Sequence, residues 1–134
     1  MSEILRRIDN SISRYSAALM SNTKWRQVLS LVAESSIPIH FAFVREESFL
    51  NETRFPKNAC DENHVKDCVP GYGPFYYKEI YAIKCPIYES KVNTKTGAKY
   101  KCKQRAEQFL EQLNSIGKLA IELDEQFIYL KGYE

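Results

Sequence analysis

The sequence predicts an α+β fold: two N-terminal helices, an antiparallel sheet, one further helix and a C-terminal β-hairpin, in the order α-α-β-β-α-β-β. Three observations carry this expectation. Apolar residues recur at helical steps near the start of the chain and again over 106–116. Two segments, 37–46 and 75–90, are rich in β-branched and aromatic residues and read as strands. Residues 118–133 alternate around a polar turn, so the closing strands pair antiparallel and helices stand apart from strands.

In the first segment Ile4, Ile8, Ile12, Tyr15 and Leu19 form one helical stripe, broken at "SNTK", where Asn22 or Thr23 is the expected cap. Trp25, Val28, Leu29 and Val32 make the second stripe, with Trp25 as a core anchor and Lys24 and Arg26 outward. In "IPIHFAFVRE" Ile39, Phe41 and Phe43 share one face and His40, Ala42 and Val44 the other. Residues 48–74 sustain no period and read as a long loop ending in the turn-rich "VPGYGP". In "FYYKEIYAIKCPIYES" Tyr77, Glu79, Tyr81 and Ile83 alternate with Tyr76, Lys78, Ile80 and Ala82, up to a limit at Pro86. "KVNTKTGAKYKCK" reads as a basic turn with Gly97 at positive φ. Ala106, Phe109, Leu110, Leu113 and Ile116 give a helix that Gly117 ends. Leu119, Ile121 and Leu123, a turn at Asp124–Gln126, and "FIYLK" complete the hairpin.

The 134 residues suit a single domain, 1–134, and a net charge of +2 selects no class of partner. The charge is unevenly spread: residues 1–33, 34–67, 68–105 and 106–134 carry net +3, −3, +6 and −4. The first residues hold no continuous apolar run, so neither an export signal nor a membrane span is expected. Cytoplasm, with its cysteines reduced, is the expected location.

The stretch "CDENHVKDC" sets Cys60, His64 and Cys68 four apart, a ligand set for zinc if the segment were helical. Zinc sites usually pair cysteines more closely, so an acidic, solvated loop with ordinary thiols is the expectation. A thiol nucleophile needs positive surroundings, and Asp61, Glu62 and Asp67 supply the opposite. Glu46–Glu47 and Asp61–Glu62 are adjacent pairs, poorly placed to converge on one atom. With no phosphate loop, "GxSxG" or "HExxH", neither catalytic residues nor a cofactor are expected.

Two surfaces remain as binding candidates. Lys91, Lys95, Lys99, Lys101, Lys103 and Arg105 surround Tyr100, a pattern that meets phosphates and stacks a base; the 91–105 segment is the nucleic-acid alternative. Tyr72, Tyr76, Tyr77, Tyr81 and Tyr88 crowd beside the acidic stretch 46–68, and tyrosine is enriched at protein interfaces.

"NTKWR" at 22–26, with "YKEIYAIKCP" some fifty residues later, resembles a small bacterial family of unknown function marked by an "NTKW" helix start and a "KEI" strand. In general style the chain also resembles the immunity proteins of bacterial toxin systems. The acidic stretch 46–68 beside the tyrosine-rich strand, in a chain without catalytic constellations, leads to the expectation of a non-catalytic protein-binding domain, an immunity protein that neutralises a cognate bacterial toxin such as a nuclease. Its contact residues would be Glu46, Glu47, Glu52, Asp61, Glu62, Asp67, Tyr72 and Tyr76. A zinc- or thiol-dependent enzyme on Cys60, His64 and Cys68 is the third reading.

Overall fold

A computed structural model describes residues 3–35, 37–69, 72–103 and 106–134, and their side chains except at 3–5, 89–92, 99–103, 106 and 107. The fold is α+β. Helices α1 (Glu3–Ile12) and α2 (Asn22–Ser35) precede strands β1 (Pro38–Phe43), β2 (Thr53–Arg54), β3 (His64–Val65) and β4 (Phe75–Tyr76). A 3-10 turn at Tyr77–Glu79 leads into β5 (Ile80–Pro86), then β6 (Tyr88–Val92) and β7 (Lys99–Lys103). Helix α3 (Ala106–Ile116) and strands β8 (Ile121–Leu123) and β9 (Phe127–Lys131) complete the chain. Five strands form one sheet in the order β2-β1-β5-β9-β8, and every pairing in it is antiparallel. The pairs β3-β4 and β6-β7 are separate two-stranded ribbons.

The main core lies on one face of the sheet. Ile39, Phe41 and Phe43 of β1 join Ile83 and Cys85 of β5 and Ile128 and Leu130 of β9. Against them pack Trp25, Val28, Leu29 and Val32 of α2 and Phe109 and Leu113 of α3. This is the face the alternation predicts, and Trp25 is the expected anchor at 2% exposure. Gly117 takes φ +148° after α3 and Gly97 takes φ +71° in its turn, as expected of both.

The first helix is shorter than its apolar stripe. It ends at Ile12, and Tyr15 and Leu19 lie beyond it. Local side chains stop it: Ser13 Oγ donates to Asn10 O (2.7 Å) and Arg14 Nε to Ser11 O (3.0 Å). The chain then turns extended to pair with the far terminus. Ser16 N donates to Glu134 O and Leu19 N to Gly132 O, both at 2.8 Å, and Glu134 N returns to Ala17 O at 3.0 Å. Long-range pairing outweighs the local helical period here. The cap of α2 is Ser21 rather than Asn22 or Thr23: its Oγ accepts from Lys24 N at 3.1 Å.

Two further differences follow from the same competition. The run 75–86 is not one alternating strand, because the 3-10 turn interrupts it and resets its phase, so that Glu79 and Ile80 are buried in succession. The basic turn is the tip of a hairpin, β6-β7, with Asn93 Oδ1 accepting from Lys95 N and Thr96 N. Arg105 and the turn residues Pro70 and Gly71 lie outside the described residues.

Gly132 is the tightest backbone approach. A Cβ there would stand 2.6 Å from Ile80 O, 3.1 Å from Tyr81 O and 3.0 Å from Trp25 Cζ2. Two of those neighbours are backbone held in the sheet, which yields poorly. We predict that Gly132→Ala destabilises the fold by about 1–3 kcal/mol, measured by urea denaturation; an unchanged midpoint would contradict this packing.

Candidate functional site

The segment 44–79 has little regular structure, yet buried side chains fasten it along its length. Phe55, Ala59, Val65, Val69, Phe75 and Tyr77 are all below 7% exposed. Its first turn is fixed by backbone: Val44 N donates to Glu79 O and Glu47 N to Phe43 O, both at 2.8 Å. Glu47 sits at φ +63° and Asn58 at φ +64°, left-handed positions that reverse the chain. Arg14 Nη2 donates to Val44 O at 2.6 Å, and Tyr15 donates to Glu47 Oε2 at 2.9 Å. Burial, then the Glu47 carboxylate, pushes the Tyr15 phenol up to about 12.

The segment closes on a buried carboxylate. Glu79, 4% exposed, accepts from Tyr76 N (2.6 Å) and from the Tyr72 hydroxyl (2.9 Å). Tyr72 in turn accepts from Arg45 Nη2 at 3.2 Å, and its ring stacks on Phe43 with centroids 3.8 Å apart. Burial raises the Tyr72 phenol, while the bond to Tyr72 is the chief cause raising Arg45. A cavity of about 270 Å³ opens beside this chain of bonds, lined by Phe43, Arg45, Glu46, Ser48, Leu50 and Tyr72.

"CDENHVKDC" is a tight reversal, not a helix. Asp61 N donates to His64 O (2.8 Å), Lys66 N to Ala59 O (2.9 Å), and the Tyr77 hydroxyl to Asp61 O (2.6 Å). His64 Nε2 lies 3.3 Å from Asp61 Oδ2. Because β3 is extended, Cys60, His64 and Cys68 do not stack on one face. Among the described residues no three His, Cys, Asp or Glu side chains are grouped to hold a metal ion. Cys60, Cys68 and Cys85 are free thiols, and all three are pushed up, chiefly by burial: Cys68 to about 11 and Cys85 to about 12. Such thiols are poor nucleophiles at neutral pH.

The structure brings Glu46 and Tyr72 to one cavity, and sets Asp61 beside His64, whose strand partner is Tyr76. Glu52, Glu62 and Asp67 are exposed in the intervening turns. Glu47 is engaged inward by Arg14 and Tyr15. His40 is a satisfied structural histidine: Nδ1 lies 2.9 Å from Leu50 O, and since a carbonyl only accepts, the hydrogen is on Nδ1. Of the basic segment, the register places Lys91 opposite Tyr100 and sets Lys99, Lys101 and Lys103 at alternate positions of β7; the side chains of these five lie outside those described. Sequence reasoning missed Arg45 and Glu79. The available signal was a lone acid within the aromatic run "FYYKEIY", where a buried carboxylate requires donors.

Two outcomes test this site. Tyr72→Phe removes one of the donors to Glu79 and is expected to cost about 1–3 kcal/mol in urea denaturation. Iodoacetamide should alkylate Cys68 about a hundredfold more slowly near pH 8 than a cysteine of ordinary pKa, the ratio of their thiolate fractions, with the rate still climbing toward pH 11. Rapid alkylation at neutral pH would revive the thiol-enzyme reading.

No protein-family model, curated protein or solved structure matches this chain, so the likeness carried by residues 22–26 and 77–86 assigns neither activity nor partner.

Proposed function

We propose that this chain is a non-catalytic protein-binding domain, an immunity protein that neutralises a cognate bacterial toxin by covering a basic surface such as a nuclease active site. The observation that supports this reading is the fastening of residues 44–79. Apolar anchors sink into the core at Phe55, Val65, Phe75 and Tyr77, while Glu46 and Glu52 before them and Glu62 and Asp67 among them stay in solvent. A loop already ordered loses little conformational freedom on binding, so more of its contact energy appears as affinity. Its acids attract a basic partner over several ångströms and raise the rate of encounter. Tyr76, 40% exposed opposite His64 in the same segment, offers stiff aromatic area with a polar tip. The raised thiols of Cys60 and Cys68 argue against catalysis on the same segment.

The test is affinity capture from a lysate of the source organism, comparing the wild-type chain with a Glu46→Lys, Glu52→Lys, Glu62→Lys, Asp67→Lys variant. The expected result is one stoichiometric basic protein retained by the wild type. Its association with the variant should be at least about tenfold slower at low salt, with the difference shrinking as salt rises. Equal association rates for both chains would sink the proposal.

A further inference from the structure

The two faces of the five-stranded sheet differ. One meets α2 and α3, as described. On the other the register aligns His40, Lys84, Tyr129 and Glu122 in a single row across β1, β5, β9 and β8, and pairs Pro86 with Phe127 beside it. One end of this second face is closed: Ala42, Ala82 and Tyr133 are buried, and Tyr15 stacks on Tyr133 at 5.0 Å. The other end is open. His40, Phe49, Lys84, Phe127 and Tyr129 are all partly exposed there.

The open end is aromatic with a cation at its centre. Lys84 Nζ lies 4.3 Å from the Phe127 ring centroid and 4.6 Å from that of Phe49. Tyr129 stands 6.0 Å from each of these rings, and His40 meets Phe127 edge-on at 6.0 Å. Two of the neighbouring acids are engaged within the hairpin, and Glu125 of the same turn is exposed. Glu122 pairs with Lys131 at 2.8 Å, and Asp124 accepts from the amides of Gln126 and Phe127 and from the Tyr129 hydroxyl. From this end β5 continues through Ile87, whose amide donates to Gln126 O at 2.8 Å, directly into the β6-β7 hairpin. That hairpin carries Lys91, Lys95, Lys99, Lys101 and Lys103 against the single acid Glu89.

We propose that the open end of the sheet binds single-stranded nucleic acid, with bases stacking on Phe127, Tyr129 and Phe49 in place of the Lys84 ammonium, Lys84 turning to a phosphate, and the lysine-rich β6-β7 hairpin adjoining the bound strand. Phe127 and Tyr129 on β9, with Phe49 of the neighbouring loop beside them, offer π-faces to successive unpaired bases, and a basic hairpin adjoining them suits the backbone. A duplex keeps its bases stacked on each other and cannot use the rings. Only Phe49 comes from the segment 44–79, and none of the acids proposed there as contacts belongs to this surface, so the inference goes beyond the protein-binding reading and does not rest on it.

Fluorescence anisotropy with short labelled oligo(dT) and oligo(U) strands, and with a duplex of equal length, tests the proposal. At least one single strand should bind, more tightly than the duplex, with affinity falling as salt rises. Preference for oligo(U) or oligo(dT) would assign RNA or DNA, and either supports the proposal. Phe127→Leu keeps an apolar side chain on the sheet and should weaken binding about tenfold without moving the thermal midpoint. Should that variant unfold, Tyr129→Leu and Lys84→Gln make the same test at partly exposed positions. The proposal is overturned if neither strand binds, or if duplex or heparin binds as tightly as the single strands. It is equally overturned if folded ring variants bind like the wild type, since that would leave only a basic hairpin, or a face that docks protein.

Discussion

The pairing of β1 with β5, and the single-residue slip within it, sets the rest of the structure. Ala42 lies opposite Ala82 but Phe43 lies opposite Ile80, so Tyr81 is the extra residue on β5. Such a bulge bends its strand and re-aims what precedes it. Upstream of the slip the backbone tightens into the 3-10 turn, which carries Glu79 inward. A carboxylate removed from water needs donors, and the Tyr76 amide and Tyr72 hydroxyl supply them. Tyr72 is thereby drawn onto Phe43 and carries Arg45 with it. The slip also frees Tyr81 to meet Tyr15 at 5.5 Å, which holds the N-terminal segment over the second face of the sheet.

What was legible in the sequence were the elements whose periods are local. Trp25, Val28, Leu29 and Val32 announce α2, Phe109 and Leu113 announce α3, and the turn at Asp124 announces the final hairpin, because burial on one face writes a period of 3.6 or 2 into the chain. Where partners are distant the period misleads. Tyr15 and Leu19 continue the stripe of α1 in sequence, but Tyr15 stacks on Tyr133 and Leu19 N donates to Gly132 O, past the end of β9. The short strands β2, β3 and β4 each hold two residues, too few to write any period. The cluster at Glu79 was hidden for a related reason: Arg45 and Glu79 meet only because β1 and β5 are neighbours.

The charges divide along the same architecture. The acids of 46–67 occupy turns slung between β1 and β5, whereas the lysines of 91–103 occupy a ribbon grown from the end of β5. Separating opposite charges onto different elements gives one small molecule two fields of opposite sign, each able to select its own kind of partner. The aromatic end of the sheet adjoins the basic ribbon, and the buried Tyr77 and the half-buried thiols of Cys60 and Cys68 belong to the acidic segment.

The strands of the central sheet are far apart in sequence: β1 ends at Phe43, β5 begins at Ile80 and β9 at Phe127. Helices and the β8-β9 hairpin can form from near neighbours, but joining β1 to β5 requires closing the whole of 44–79 first, and such non-local closure is slow and late. The acidic turns therefore take their shape only when that closure completes, since the donors to Glu79 and the anchors at Phe75 and Tyr77 come from the far end of the loop. A partly folded chain can hold its helices and hairpin while showing none of this surface. Recognition through it would then report complete folding, and a partner would distinguish the finished molecule from every intermediate on the way to it.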